Sequence, residues 1–318
     1  MFVTRHASSM TSLLTVAEHV ACGDLQHRGR PESIAVYLME TDDGLVVVDP
    51  GPTSCLDRLR QSVSDFGASM ADVRHLLLTH IHLDHAGAAG TLARDNPRLR
   101  VHVHARGAPH LVDPARLLDS ARRIYGAEME TLWGEFVAVP SDRLTVLGGG
   151  ERLTIGSRNV RVAYTPGHAW HHVAYLDETS GMAFVGDVAG EGSQHGTPAV
   201  PAAPPPDIDL ESWRPSLDAI AAWGPEALLL THFGPARHIV AHLDTLWDRI
   251  IAWSLAVRAS LASSASDAER AEAFAESELS RLAAGLTPEQ VKHIDRDSIL
   301  ASWYGFARYW RKKSGTAA

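Results

Sequence analysis

The chain has 318 residues and a mass of 34.4 kDa, enough to bury a full core in one large domain or in one domain with an appendage. A formal net charge of -9 and a pI near 6.0 provide no basic surface for nucleic acid or for an anionic membrane. No apolar run approaches the length of a membrane span, and the two cysteines, Cys22 and Cys55, form no CxxC motif. We therefore expect a cytoplasmic protein with reduced thiols and a small-molecule substrate.

The first 24 residues are predicted to be a leader and a first strand. An apolar stretch at 12–17 follows Arg5, as in a secretion signal, but Glu18 and His19 interrupt it too early. A start at Met10 instead of Met1 would leave the residues before it as a disordered leader. A catalytic domain is predicted over 25–240 and a helical extension over 241–318.

Two apolar runs, 34–39 and 45–48, are predicted to open the fold as a hairpin around the turn residues 42–44. The second run ends at Asp49, in front of Pro50-Gly51-Pro52. Asp49 is either a turn residue or a partner that orients a metal-binding histidine, and the two interpretations carry equal weight. A helix over 54–67 and a strand over 75–79 are predicted to follow.

The next stretch holds four potential metal ligands within six residues and runs Thr79-His80-Ile81-His82-Leu83-Asp84-His85. His80 and His82 project to the same side of an extended strand end, and Asp84 and His85 come where the chain turns into a helix rich in Gly and Ala. Imidazole together with carboxylate suits zinc, iron or manganese better than calcium or magnesium. The alternative, histidines that line a buried turn without a metal, fits this spacing after a strand less well.

The middle of the chain adds further strands and one helical segment. Residues 100–104 alternate like a strand, and His104 at its end either faces the site or is a half-buried strand residue. Residues 110–135 are predicted to be helical, either as a pocket wall or as plain packing. Short strands near 144–147, 153–155, 160–164, 173–176 and 182–186 precede a Pro-rich connector at 201–206, a helix near 210–222 and a strand at 227–231.

Three of these later strands end in a ligand-type residue beside a small one: Gly167-His168, Gly186-Asp187 and Thr231-His232. Each follows an apolar run, so we expect the three to emerge at the same edge of a sheet. Together with the first stretch they give seven candidate metal ligands: His80, His82, Asp84, His85, His168, Asp187 and His232. Seven ligands are too many for one tetrahedral ion and fit two ions that share a bridging carboxylate.

Beyond residue 240 the chain is predicted to be helical, with capping boxes at Ser266-Asp267-Ala268-Glu269 and Thr287-Pro288-Glu289-Gln290. Trp303, Phe306 and Trp310 keep a helical spacing that is more typical of a packed core than of a cofactor site. We expect this extension to dock on the main domain as a lid or as a dimer element, with Tyr304 within reach of the pocket.

As an ordered set, these motifs resemble those of the metallo-β-lactamase-fold hydrolase superfamily over roughly residues 30–240. The resemblance looks closer to the glyoxalase II and lactonase-like branch than to true β-lactamases, because the bridging position holds Asp187 and not Cys. It implies an α+β fold, the αββα sandwich, with two sheets between outer helices and a metal site at one edge. His172 fits a recurring Gly-His-x-x-x-His pattern of that branch, in which it is usually not a metal ligand.

The resemblance also implies a role for each ligand. The first metal would be held by His80, His82 and His168, the second by Asp84, His85 and His232, and Asp187 would bridge the two. Two divalent ions, with zinc expected and iron or manganese as alternatives, would activate a bridging hydroxide that Asp84 orients or relieves of a proton. The predicted reaction is hydrolysis of a thioester, a lactone or another carboxylic ester.

Three other functions remain open. Persulfide dioxygenases share the fold and the first motif but use one iron, held at the positions of His80, His168 and Asp187. Nucleic-acid hydrolysis, as in the ribonuclease Z branch, is disfavoured by the acidic balance of the chain. An inactive binding protein is disfavoured by the complete ligand set. The sequence does not determine the oligomeric state, and a homodimer through the extension or an exposed hairpin is compatible with it.

Overall fold

The structure is a computed structural model, and it describes residues 13–192 and 195–315. Two β-sheets pack face to face, and helices cover the outer face of each sheet. This arrangement is the αββα sandwich, so the predicted α+β fold is confirmed. The question of a start at Met1 or Met10 concerns residues outside the described ranges.

The first sheet contains seven strands in chain order. They are β1 (Leu13–Ala17), β2 (Val20–Asp24), β3 (Ala35–Thr41), β4 (Gly44–Val48), β5 (Val73–Leu77), β6 (Arg100–His104) and β7 (Leu144–Leu147). Neighbours from β1 to β4 are antiparallel, and neighbours from β4 to β7 are parallel. The predicted hairpin of β3 and β4 is present. The first strand expected within residues 1–24 is also there, but as a pair, β1 and β2, so the hairpin of β3 and β4 does not open the fold.

The second sheet contains six strands. They are β8 (Arg152–Ile155), β9 (Arg158–Tyr164), β10 (Val173–Asp177), β11 (Met182–Gly186), β12 (Ala227–Leu230) and β13 (Gly234–Ala236), in the spatial order β13-β12-β11-β10-β9-β8. The pair β11 and β12 is parallel, and all other neighbours are antiparallel. Strands β9, β11 and β12 therefore run in one direction and end at the same edge of the sheet.

The apolar run in β3 shows why these sequences form a two-layered sheet core. Successive side chains of a strand point to opposite faces. Val36 and Leu38 pack toward the outer helices, whereas Tyr37 and Met39 pack toward the second sheet. A strand that is buried on both faces needs apolar residues at every position, and this explains the uninterrupted hydrophobic run.

Helices on the first sheet are α1 (Leu56–Asp65), α2 (Leu83–Ala86), α3 (Ala89–Asp95) and α4 (Ala108–Val112), followed by α5 (Ala115–Tyr125) and α6 (Met129–Trp133). The helical segment predicted over 110–135 is thus divided into short pieces. Pro114 begins α5, and Gly126 ends it with a φ of 52° that a helix cannot continue.

The second sheet is covered by α7 (Leu210–Ala221), α8 (Ile239–Ser260), α9 (Asp267–Ala283), α10 (Pro288–Val291) and α11 (Arg296–Ser314). Both predicted capping boxes are present, at the starts of α9 and α10. Trp303 and Phe306 of α11 are fully buried in one core with Trp213 of α7 and Trp253 of α8. Within the described ranges, no helix combines the length and the hydrophobicity that a membrane crossing requires.

Candidate metal centre

The seven predicted ligands follow strands that end at one edge of the sandwich. The stretch 79–85 follows β5, and the others follow β9, β11 and β12. The carboxyl ends of parallel strands are where open α/β sheets commonly place their ligand sites. The seven side chains form three overlapping groups whose ligand atoms lie within 4.8 Å of one another: His80 with His82 and His168, His80 with His85 and Asp187, and Asp84 with His85 and His232.

In the first group, three imidazole nitrogens converge. His82 Nδ1 lies 2.9 Å from His80 Nε2 and 3.0 Å from His168 Nε2. Nitrogens bound to one tetrahedral zinc ion are about 3.3 Å apart, so a small expansion would accommodate an ion. The second ring nitrogen of His168 donates to the Ala202 carbonyl at 2.7 Å, which directs Nε2 at the centre of the group.

The group of Asp84, His85 and His232, called the second group from here on, is arranged in the same way. Asp84 Oδ2 lies 3.3 Å from His232 Nε2 and 3.7 Å from His85 Nε2. His85 Nδ1 donates to Asp49 Oδ2 at 2.8 Å, and His232 Nδ1 donates to the Ser33 carbonyl at 2.7 Å. Because the outer nitrogen of each ring is a donor, Nε2 is the nitrogen whose lone pair is available to a metal.

Asp187 lies between the two groups, with one carboxylate oxygen toward each. Its Oδ2 is 3.6 Å from His168 Nε2 and 3.9 Å from His80 Nε2. Its Oδ1 is 3.3 Å from His85 Nε2 and 3.7 Å from His232 Nε2. This is the arrangement that a carboxylate bridging two ions requires.

Two buried atoms at this centre have no hydrogen-bond partner among the described residues: His85 Nε2 and Asp187 Oδ1. A buried polar atom without a partner costs about 1–3 kcal/mol, so native proteins rarely leave one in place. These two atoms face each other across the space between the ligand groups. A divalent cation in that space would satisfy both, and the imidazole and carboxylate donors present here suit such an ion.

The charges within the site differ between the two groups. Burial, reinforced by His168, lowers the pKa of His82 to about 3, so this ring is a neutral ligand. Burial would also lower the pKa of His232, but the negative charge of Asp187 and the hydrogen bond with Asp84 raise it to about 10. A metal ion in the second group would replace the protons that these carboxylates otherwise attract.

Asp49 connects three strand ends through its buried carboxylate. Besides the bond from His85, it accepts from Thr79 N at 2.8 Å, from Thr79 Oγ1 at 2.6 Å and from Thr231 Oγ1 at 3.1 Å. Since the Thr79 hydroxyl donates to Asp49, it accepts from His80 Nδ1 at 3.1 Å. Asp49 also has a φ of 50°, which is typical of a tight turn. It therefore makes both the turn and the hydrogen bond to a histidine that the two sequence interpretations describe.

His172 lies directly behind the centre, with both ring nitrogens engaged. Nδ1 pairs with Thr165 Oγ1 at 2.8 Å, and Nε2 accepts from Asp187 N at 3.3 Å. Gly186 makes this close packing feasible: it has a φ of 47°, and a Cβ there would lie 2.6 Å from Thr79 Oγ1 and 2.7 Å from His172 Nε2. Any side chain before Asp187 would therefore displace the residues that support the ligands.

Two other predicted residues lie outside the ligand groups. The His104 ring stacks on Tyr164 with centroids 4.4 Å apart, and its Nδ1 accepts from Arg106 N at 3.4 Å. Tyr304 is half-buried, and its ring packs edge-on against Trp303 at 5.2 Å. A role for either residue in contacting substrate stays a prediction.

Sequence reasoning missed three contributors to the site. The carbonyls of Ser33 and Ala202 orient ligand histidines, and main-chain atoms leave no side-chain pattern in a sequence. Glu191 was also missed: burial raises its pKa to about 8, and Ser298 of α11 hydrogen-bonds to it. The Gly190-Glu191-Gly192 pattern alone indicates no more than a turn.

Comparison with known proteins gives the family. A profile of the metallo-beta-lactamase superfamily matches residues 29–232. The metallo-beta-lactamase fold-containing protein ST1585 of Sulfurisphaera tokodaii is 27% identical over 207 residues, which are 64% of this chain and 74% of that protein. The probable metallo-hydrolase YqgX of Bacillus subtilis is 28% identical over 162 residues, 51% of this chain and 69% of YqgX.

Solved structures agree at the level of the fold. A metallo-beta-lactamase family protein from Thermus thermophilus, TTHA1429, superposes with a TM-score of 0.65 at 22% identity and covers 88% of this chain and 89% of its own. The profile match extends over more than half of the chain and ends at His232, the last of the seven predicted ligands. The chain belongs to the metallo-beta-lactamase superfamily, whose fold implies divalent metal ions.

Proposed function

We propose that the protein is a hydrolase that uses two divalent metal ions, with zinc expected, to cleave an ester-type bond in a small molecule. The substrate class is a thioester, a lactone or another carboxylic ester. The probable metallo-hydrolases among the relatives support metal-dependent hydrolysis in general. The more specific proposal depends on the chemistry of this chain's own residues.

One observation carries the proposal. Asp187 directs one oxygen at the nitrogens of His80 and His168 and the other at those of His85 and His232. A site for a single ion would not need ligand atoms on both sides of one carboxylate. When bound, two divalent ions supply Lewis acidity and a water molecule of lowered pKa.

Asp84 is the residue best suited to act on substrate and water. Its side chain is 23% exposed, whereas that of Asp187 is 6% exposed, so Asp84 is the carboxylate that solvent and substrate can reach. Burial would raise the pKa of Asp84, but the charge of His85 and the hydrogen bond with His232 hold it well below the usual range. Asp84 is therefore ionised at neutral pH and can orient a water molecule by accepting a hydrogen bond from it.

The acidic net charge of -9 points away from nucleic acid as the substrate. Residues of α11 approach the same region. Burial raises the pKa of Asp207, while His168 and the charges of Arg308 and Lys312 oppose that effect, so Asp207 is within electrostatic range of both the first ligand group and the cations of α11. This supports an extension that borders the pocket and contributes to substrate choice.

The test combines metal content with activity. Protein purified without chelator would be analysed for metals and assayed against a thioester, a lactone and a phosphodiester. We expect two zinc or manganese ions per chain and hydrolysis of a thioester or a lactone. We also expect Asp187→Ala to lose one or both ions and at least about 100-fold in kcat/KM, since it removes a ligand from each ion.

Asp177→Asn is the matched control, because Asp177 is an equally buried aspartate that pairs with Arg158 and contacts none of the seven ligands. It should retain both metals and the turnover per folded molecule. One iron ion per chain, with no hydrolysis of any of the three substrates, would refute the proposal and favour sulfur dioxygenation.

A further inference from the structure

A fourth group of metal-ligand side chains lies outside the centre described above. It consists of Glu32, His195 and His293, whose ligand atoms lie within 4.8 Å of one another. Glu32 Oε1 is 2.9 Å from His195 Nε2, and Glu32 Oε2 is 3.0 Å from His293 Nδ1. The ligand atoms of one tetrahedral zinc ion are about 3.3 Å apart, so both separations suit a shared ion.

The three residues come from distant parts of the chain. Glu32 precedes β3 in the catalytic domain, His195 lies in the connector after β11, and His293 lies between α10 and α11 of the extension. A single ion held by all three would join the extension to the catalytic domain. Because an ion holds its ligands together, its binding free energy would add to the contacts that already join these segments.

The surrounding backbone already holds the group in place. Glu32 has a φ of 55°, in the left-handed region that a glutamate rarely adopts, and its N donates to Asp24 Oδ2 at 2.9 Å. On the opposite side, Gln290 Nε2 donates to the His195 carbonyl at 2.8 Å. The side chains of Glu32 and His293 are 14% and 18% exposed, so they are largely withdrawn from water but reachable by an ion.

The alternative to a metal site is that each of the two histidines forms an ordinary ion pair with Glu32. The two imidazole rings stack with centroids 4.2 Å apart and planes inclined by 28°. Two neutral rings stack at this distance without repulsion, and the neutral imidazole is the form that binds a metal ion.

We propose that Glu32, His195 and His293 bind a divalent transition-metal ion such as zinc, separately from the seven-ligand centre, and that this ion fastens the α10–α11 junction to the catalytic domain. Two imidazoles and one carboxylate are a ligand set that zinc accepts, with water completing the tetrahedron.

The position of this site gives it a consequence for the centre. Glu32 directly precedes Ser33, whose carbonyl accepts the hydrogen bond from His232 Nδ1. The connector that carries His195 begins beside the same ligand, since Gly192 N donates to the His232 carbonyl at 2.7 Å. Two of the three segments that the ion would join therefore also support His232.

The experiment measures zinc alone. Wild-type protein stripped with a chelator, and the variants His195→Ala and His293→Ala, would be dialysed against buffered micromolar zinc and analysed for zinc per chain. We expect each variant to bind one ion fewer than the wild type. His19→Ala is the control, since His19 pairs with the carboxylate of Glu40 at 2.7 Å and no other histidine of residues 13–192 and 195–315 joins them, and this variant should bind as many ions as the wild type.

His195 is half exposed in a connector, so His195→Ala should fold normally. Equal zinc in the wild type and in both variants would overturn the proposal. Amide hydrogen exchange over 284–296 should slow on zinc addition in the wild type and not in His195→Ala. A lost ion without this difference in exchange would overturn the fastening role. The experiment compares zinc per chain in the wild type and in each variant. Its result therefore does not depend on whether the seven-ligand centre proves to be a hydrolase.

Discussion

Asp49→Asn should weaken both halves of the metal centre without touching a ligand. The carboxylate accepts four hydrogen bonds and donates none, and two of them lead to histidines: directly to His85, and through the Thr79 hydroxyl to His80. Asparagine keeps the size of the side chain but replaces one oxygen with an NH2 group, which can only donate.

Either orientation of the new amide is unfavourable. If its NH2 replaces Oδ2, then His85 Nδ1 must accept, and the proton of that ring moves to Nε2, the nitrogen that faces Asp187. The Thr79 hydroxyl must also accept from the amide and donate to His80 Nδ1. The proton of the His80 ring then moves from Nδ1 to Nε2 as well. If the NH2 replaces Oδ1, it opposes the buried Thr79 N–H and leaves it unsatisfied, at about 1–3 kcal/mol.

Loss of a partner that orients a metal-binding histidine typically costs 10- to 100-fold in metal affinity, or about 1.4–2.7 kcal/mol. We expect zinc affinity to fall by about this factor, measured by competition with a chromophoric chelator at pH 7.5. Asp177→Asn is the control, because it should lower the free energy of unfolding in urea but leave zinc affinity unchanged. If Asp49→Asn bound zinc within about twofold of the wild type, the proposed orientation of His80 and His85 would be refuted.

Two further predictions concern the scaffold. Gly90→Ala should lower the free energy of unfolding in urea by about 3 kcal/mol, because the new Cβ would lie 1.8 Å from the Val137 carbonyl oxygen. Gly148→Ala is the control: among the described residues its Cβ would meet no atom closer than 3.4 Å, so the free energy of unfolding should change by less than about 0.5 kcal/mol. Burial raises the pKa of Cys22 from 9.0 to about 12, so at pH 8 alkylation should be slow in the native protein and fast in urea. Because the folded state keeps this proton while the unfolded chain loses it, the contribution of Cys22 to stability should be fully present below pH 9.0 and fall as pH rises toward about 12. A native thiol that reacts as fast as the unfolded one would contradict this burial.

The sequence predicted the layered fold because each layer has a local pattern. Uninterrupted apolar runs such as that of β3 indicate strands covered on both faces, and the capping boxes of α9 and α10 indicate where helices begin. The first 24 residues were predicted to hold one strand, whereas Leu13–Ala17 and Val20–Asp24 form two, because Glu18 and His19 make the turn between them. The helical segment at 110–135 was predicted without its breaks, although Pro114 and Gly126 were the signals for them.

The candidate ligands were predictable because each lies in a segment that directly follows a strand, and strand direction brings such segments to one edge. What the sequence does not contain is the set of contacts that come from the folded backbone. The group of Glu32, His195 and His293 illustrates this limit, since its members lie in three segments with no shared motif. Only the packing of α10 and α11 against the catalytic domain makes them neighbours.

The extension is better understood as part of the support of the metal centre than as a separate cover. Ser302 of α11 donates to the Pro201 carbonyl at 3.0 Å and accepts from Ala203 N at 3.1 Å, so it holds the segment on both sides of Ala202. The Ala202 carbonyl in turn orients His168. Removing the extension would leave this segment without its partner and would expose the core around Trp303. Loss of activity after truncation would therefore not identify a lid. A lid would be identified by a single substitution on the pocket side of α11 that alters KM and leaves the metal content unchanged.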